Sequence, residues 1–266
     1  MLKVTTELNK KLLEECRYLL DTVGYCVIER YLTPDYCDEL ALALKSHVDR
    51  PSSFDVERAV QDKYHIHDLL CQDIKFARLL EDPNLDSLLA PHLGEHWVMY
   101  AFTSSSLPPF GANYGSRIHV DSPRLIPGYP TNMGVIWALT EFTASNGGTQ
   151  LLPGSHHSET KPSDDFFERH SITLECPRGS MIIFNARVYH RAGNNETSVF
   201  RHSLTMNACR SYMKQRMDWV RFIPREISGE LSERARRIIG FDTRVPTNLE
   251  EFFVPDESRL YKPNQG

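Results

Sequence analysis

No two cysteines in this 266-residue chain have the C-x-x-C spacing of a structural zinc site or a redox motif. The six present are scattered at positions 16, 26, 37, 71, 176 and 209. That scatter excludes a disulfide-stapled scaffold and reads as reduced thiols of a cytoplasmic protein, each a small buried hydrophobe. Charge of one sign is missing too. With 30 Lys and Arg against 35 Asp and Glu the formal net charge is −5, so no broad basic field exists to attract nucleic acid or an anionic membrane. No apolar run approaches the roughly 20 residues of a membrane-spanning helix. The first residues, MLKVTTELNKKLLEECRYLL, read as an amphipathic helix and not as a secretory leader. Internal repeats, low-complexity tracts and clear linkers are absent as well, which favours one domain over residues 1–266.

Two textures are present. Residues 1–95 read as a mainly helical buttress with an early strand, GYCVIERYL. Leu8, Leu12, Cys16 and Leu19 fall on one helical face, and Thr33-Pro34 has the N-cap and first-turn chemistry of a second helix. DIKFARLLEDPNLDSLLAPHLG suggests two further short helices broken near Pro83. From residue 96 to 215 the chain becomes short β-rich runs punctuated by Gly, Pro and Asn: HWVMYAFTSS, GSRIHVDS, NMGVIWALTEF, GTQLLPG, SITLEC, GSMIIFNARVYH and SVFRHSLTMNAC. Many short strands with turn signals between them predict two facing sheets. Residues 216–266 add a final helix, SGELSERARRIIG, and a polar tail. The fold class expected is α+β with a mainly β core, a double-stranded β-helix (jelly roll, cupin-like) buttressed by N-terminal helices.

RIHVDSPR, residues 117–124, carries the first chemical signal. Alternate residues of a strand share a face, so His119 and Asp121 point together. Alone, that pair fits a surface hydrogen bond, a catalytic pair or two ligands of one metal. Further on, His190 ends the strand GSMIIFNARVYH, and Arg201 follows eleven residues later on the next strand. Two imidazoles and a carboxylate on one side of an octahedral ion leave three adjacent positions open, the arrangement of non-haem Fe(II) oxygenases. A keto-acid co-substrate that takes two of those positions needs a cation for its distal carboxylate. A planar guanidinium meets a carboxylate through two parallel hydrogen bonds.

Four stretches in this order resemble the phytanoyl-CoA dioxygenase family of Fe(II)/2-oxoglutarate-dependent oxygenases: GYCVIERYLTPDYCDEL, IHVDS, ALTEFTASNGGTQLLPGSHH and YHRAGNNETSVFR, together spanning roughly residues 24 to 215. The resemblance implies a double-stranded β-helix with His119, Asp121 and His190 on Fe(II) and Arg201 on 2-oxoglutarate. Thr149, in the N-G-x-T turn, maps onto a second contact to that carboxylate. Asn132, before MGVIWAL, is a further pocket candidate. Several relatives carry Gln two residues before the first metal-binding His. Here Arg117 stands there, a candidate contact to 2-oxoglutarate or to an anionic substrate. The lysine common in the strand before H-x-D is replaced by TSSS, which speaks against an acyl-CoA substrate.

The function expected is an Fe(II)-, 2-oxoglutarate- and O2-dependent dioxygenase that hydroxylates an unactivated C–H bond of a small-molecule metabolite and releases succinate and CO2. The alternatives are a cupin-like hydrolase or isomerase with the same ligands and no keto acid, or a non-catalytic binding module. The remaining candidates read as ordinary. HIHD at residues 65–68 is placed outside the β core and away from the metal, and His156 and His157 in an exposed turn. His202 is out of phase with Arg201, His170 has no evident partner, Trp137 is core, and Arg124 is a solvated loop residue. SLPPFGANYG has the composition of a lid, and SPRLIPGYPTN that of a pocket loop.

Overall fold

The computed structural model describes residues 8–48, 62, 64–241, 245–255 and 257. Helix α1, Lys10–Thr22, starts where the Asn9 side chain accepts the Leu12 amide at 3.0 Å, and it buries Cys16 and Leu20. After β1 (Tyr25–Ile28), α2 (Pro34–Val48) opens with Thr33 Oγ1 accepting the Tyr36 amide at 3.2 Å. Its inward face is Tyr36, Cys37, Leu40, Leu44 and Val48, a helical stripe facing the core. Two single-turn helices, α3 (Leu69–Gln72) and α4 (Ile74–Ala77), lead through a 3₁₀ turn to α5 (Asn84–Leu93).

The β core has two antiparallel sheets. Strands β2 (Val98–Leu107), β3 (Asn132–Ala138), β6 (Met181–Asn185) and β8 (Arg201–Cys209) join β1 in the order β1-β6-β3-β8-β2. The smaller sheet has the order β5-β4-β7, from β4 (Thr149–Leu151), β5 (Ile172–Thr173) and β7 (His190–Ala192). Between β4 and β5 lies α6, Asp164–His170.

The two-residue period of the strands sorts side chains between two cores. Met133, Val135 and Trp137 of β3 pack with Leu204 and Met206 of β8 against the helices, in one cluster that includes Leu40, Leu88 and Trp97. Ile136 and Phe184 face the smaller sheet, with Leu151, Leu174 and Val188. The residues of β8 left facing between the sheets are Arg201, Ser203, Thr205 and Asn207, and all four line a cavity there.

One glycine shapes that space. A Cβ on Gly134 would lie 2.1 Å from the Phe184 ring, so the ring occupies the place of a side chain on β3. Gly134→Ala is expected to destabilise the fold by about 1–3 kcal/mol through overpacking. It should also drive Phe184, which meets the His190 ring edge-on at 5.0 Å, out of place. Chemical denaturation reads the first effect and metal affinity the second.

Several expectations are corrected. RIHVDSPR is not a strand: His119 makes one isolated bridge to His190, and the chain leaves the ladder after it. GSMIIFNARVYH is two elements, because β6 ends at Asn185 and His190 begins β7 after a turn. The final helix is α9 (Glu233–Ile239), preceded by α7 (Trp219–Phe222) and α8 (Arg225–Ser228), and the tail contains α10 (Leu249–Phe252). SLPPFGANYG is fastened down: the Asn195 side-chain amide donates to the carbonyls of Leu107 and Pro108 at 3.3 and 3.0 Å. His156 is buried, with no hydrogen-bond partner at either ring nitrogen. All six cysteines are free, five of them buried. No helix among the described residues is long and apolar enough to cross a membrane.

Candidate active site

The bridge between His119 and His190 builds the centre of the site. Each amide donates to the other's carbonyl at 3.0 Å, and residues directly opposed in an antiparallel bridge project to the same side. The two rings accordingly lie 4.3 Å apart between centroids. Each Nδ1–H donates to the carbonyl two residues earlier, Arg117 at 2.7 Å and Val188 at 2.9 Å. With Nδ1 the donor on each ring, Nε2 of each is left facing Asp121 as the candidate ligand atom. Asp121 arrives by a different route: its amide donates to Ala186 O at 2.8 Å, in the turn before β7. Its Oδ1 lies 3.5 Å from His119 Nε2 and 4.0 Å from His190 Nε2. Among the described residues these three form the one group of His, Cys, Asp or Glu able to share an ion, with donor atoms all within 4.8 Å. Ligand atoms about 2.1 Å from a single ion and at right angles stand about 3 Å apart, a small side-chain rotation away. Two neutral imidazoles and a carboxylate, with no thiolate, are donors suited to ferrous iron.

Electrostatics prepare the donors unequally. Burial, then repulsion from His119, pushes His190 down to about 4, so it is neutral at physiological pH. Burial also works against charge on His119, but the hydrogen bond and charge of Asp121 outweigh it and raise its pKa above 6.5. Burial would raise Asp121, yet His119, the charge of His190 and a hydrogen bond from Asn207 hold it below the usual carboxylate value. Metal binding must displace the His119 proton, so Fe(II) affinity is expected to fall as pH drops through the raised pKa of His119. The metal-free fold has the opposite dependence. The His119–Asp121 interaction stabilises it fully below the unfolded value of 6.5 and is lost as pH rises through the folded one. Fe(II) titrations between about pH 5.5 and 8 check the first sign. A pH-independent affinity would remove His119 from the ligand set.

Arg201 is 2% exposed. Its Nη1 donates to Ser203 Oγ at 3.1 Å and its guanidinium lies 4.5 Å from the Phe142 ring centre, while Nε and Nη2 have no partner. Burial pulls its pKa down to about 9, which leaves it charged at neutral pH. A buried cation with two idle donors is costly unless an anion completes it. Arg201 and Thr149 line the same cavity, about 340 Å³, as all three metal-donor residues.

Asn132 does not line that cavity. Its Nδ2 donates to Asn207 Oδ1 at 2.8 Å, and Asn207 in turn holds Asp121. Arg117 is exposed, stacks on Tyr114 at 3.7 Å and lies outside the cavity lining. His65 and His67 line the cavity although they are not among the metal-donor group. The amides of Ser104 and Ser106 donate to the carbonyls of Ile66 and Tyr64, both at 3.1 Å, which lays this segment along β2. Nothing local in HIHD announces that placement. Asn207 and Thr205 were legible, since they continue the two-residue period from Arg201.

Two facing antiparallel sheets that hold a 2-His-1-carboxylate set beside a buried arginine define a non-haem metal-dependent oxygenase of jelly-roll fold. The family described as Phytanoyl-CoA dioxygenase (PhyH) matches residues 20–203. The chain belongs to this family of Fe(II)/2-oxoglutarate-dependent oxygenases. It is 29% identical over 288 residues to the uncharacterised protein Rv1501 of Mycobacterium tuberculosis, covering 100% of both chains. It is 25% identical to dioxygenase trt7 of Aspergillus terreus, covering 93% of this chain and 90% of that one. Among solved structures, EctD from S. alaskensis with 2-oxoglutarate and 5-hydroxyectoine superposes with a TM-score of 0.62 at 19% identity, covering 79% of this chain and 83% of that one. The epimerase SnoN in complex with Fe3+, alpha ketoglutarate and nogalamycin RO gives 0.62 at 16% identity, covering 76% and 84%.

Proposed function

We propose that this protein hydroxylates an unactivated C–H bond of a small-molecule metabolite, using Fe(II), 2-oxoglutarate and O2 and releasing succinate and CO2, with residues 1–266 acting as one oxygenase unit. The observation that carries the reading is the meeting, in one cavity, of three convergent metal donors with a buried arginine whose Nε and Nη2 are idle. His119, Asp121 and His190 would hold the iron through Nε2, a carboxylate oxygen and Nε2. Bound there, the metal with its keto acid and dioxygen supplies the oxidising chemistry.

The chain's own residues place and shield the reactants. Arg201 receives the distal carboxylate of the keto acid through Nε and Nη2, with Thr149 beside it as a hydroxyl donor. Ser203 Oγ keeps Nη1 fixed, so the guanidinium is oriented before the anion arrives. Asn132 acts at one remove, holding Asn207 against Asp121. Phe184 and Ile136 give the cavity an apolar wall that would keep water from a bound metal and keto acid. Arg117, turned onto Tyr114, takes no part in this reading. A hydrolase or isomerase on the same three ligands would leave the idle nitrogens of Arg201 without a purpose.

Anaerobic addition of Fe(II) and 2-oxoglutarate is expected to produce a weak visible charge-transfer band in the green. Admission of O2 with a substrate should then form succinate together with a product heavier by one oxygen atom. No spectral change under saturating metal and keto acid would contradict the proposal.

A further inference from the structure

The cavity extends well beyond the groups assigned to iron and keto acid. The pairing of β2 with β8 sets Leu107 opposite Arg201 and Ala101 opposite Asn207, so about 20 Å of strand, at roughly 3.3 Å per residue, separates the two ends. Arg201 marks the keto-acid end. Asn207, which holds Asp121, marks the metal, and Tyr100 and Arg216 lie at that end of the strands.

That end has a built geometry. The β2–β8 register shifts between Met99 and Ala101, and the irregularity turns Tyr100 and Ala101 in succession toward the cavity. The Tyr100 carbonyl accepts the Arg216 amide at 3.1 Å and Trp219 Nε1 at 3.2 Å, which latches the segment carrying Arg216 against the bulge. Arg216 is an exposed residue on the cavity lining, which also includes Asp62, and its guanidinium has no carboxylate partner among the described residues, whereas the exposed Arg221 is paired with Asp218 at 3.8 Å. Toward the Arg201 end, where Ser104 and Ser106 hold Ile66 and Tyr64 along β2, His65 also lines the cavity, and its Nδ1 is buried without a hydrogen-bond partner. Burial pushes its pKa down to about 4, so its ring is neutral, with one donor and one acceptor to offer. Thr103 and Thr205 add hydroxyl-bearing side chains to the wall between them.

We propose that the substrate is a small polar acid whose carboxylate or phosphate is received by Arg216 while a hydrogen-bonding group of the same molecule meets His65. This specificity rests on the oxygenase reading above and names the class of molecule it acts on. An unpaired guanidinium selects an anion, and a buried imidazole nitrogen without a partner penalises any occupant unable to hydrogen-bond to it. The 340 Å³ cavity is near the lower limit of ligand pockets, about 300 Å³, and the keto acid shares it.

The test is calorimetric titration of the anaerobic Fe(II)·2-oxoglutarate protein with matched probes: L-proline against L-prolinamide, 3-hydroxybutyrate against 3-hydroxybutyramide, and glycerol 3-phosphate against glycerol. At least one acid is expected to bind tenfold or more tightly than its uncharged-end partner, and whether it is a carboxylate or the phosphate tells the two anions apart. Arg216→Gln should erase that preference, and His65→Ala should weaken both members of the pair, each variant keeping wild-type affinity for 2-oxoglutarate. No preference for any acid, or a preference that survives Arg216→Gln, overturns the inference. Failure of the visible band with metal and keto acid alone would instead overturn the oxygenase reading, and this inference with it.

Discussion

Asp121→Ala is expected to abolish keto-acid-coupled turnover while leaving the protein folded. The fold depends on the backbone at this position, since the amide of residue 121 donates to Ala186 O whatever the side chain is. The carboxylate, by contrast, is the only anionic donor among the described residues within reach of both Nε2 atoms. Its removal leaves two neutral imidazoles, which bind a ferrous ion weakly and leave its charge uncompensated. The loss should exceed the roughly 10–100-fold that accompanies removal of a group behind a ligand. Succinate formation measures it, with circular dichroism as the folding control. A folded Asp121→Ala protein that retains more than about a tenth of wild-type coupled turnover would contradict a ligand role.

Arg201→Met separates co-substrate binding from stability because the two should move in opposite directions. The guanidinium is buried with one hydrogen bond and an aromatic face, and its lowered pKa records the burial penalty on the cation. That penalty is fully present at neutral pH, well below both its folded and unfolded pKa values. An apolar side chain of similar length removes it, so the ligand-free variant should melt at the wild-type temperature or above. Affinity for 2-oxoglutarate should fall by roughly 1.5–3 kcal/mol, the worth of a charged hydrogen bond, or about 10–150-fold. The thermal shift produced by added keto acid should shrink accordingly. Unchanged affinity would take the distal carboxylate away from Arg201.

Why the sequence revealed some of this and hid the rest follows from the distance over which each signal acts. The two-residue period is local to one strand, and it set Arg201 toward the cavity with His202 out of phase; continued along β8, it also leads to Ser203, Thr205 and Asn207, which the sequence reading did not single out. His119 and Asp121 do converge, but not because a strand aligns them. The ladder ends at His119, and the turn at Ala186 captures Asp121 through its carbonyl. That hydrogen bond joins segments some 65 residues apart, and no local pattern encodes it. The same holds for His65, placed by pairing with β2, and for His156, buried beneath Gly24, where a Cβ would stand 2.5 Å from its Nδ1. Arg117 shows the converse failure. Its spacing from His119 suggested a shared face, but the chain around it is a 3₁₀ turn and not a strand, and its side chain folds back onto Tyr114.

Crystals grown anaerobically with Fe(II) and 2-oxoglutarate, measured at the iron absorption edge, put the central claim to the most direct trial. One anomalous peak is expected, bounded by Nε2 of His119, Nε2 of His190 and a carboxylate oxygen of Asp121, with the far carboxylate of the keto acid on Nε and Nη2 of Arg201. An iron peak elsewhere, or keto acid seated away from Arg201, would contradict that claim.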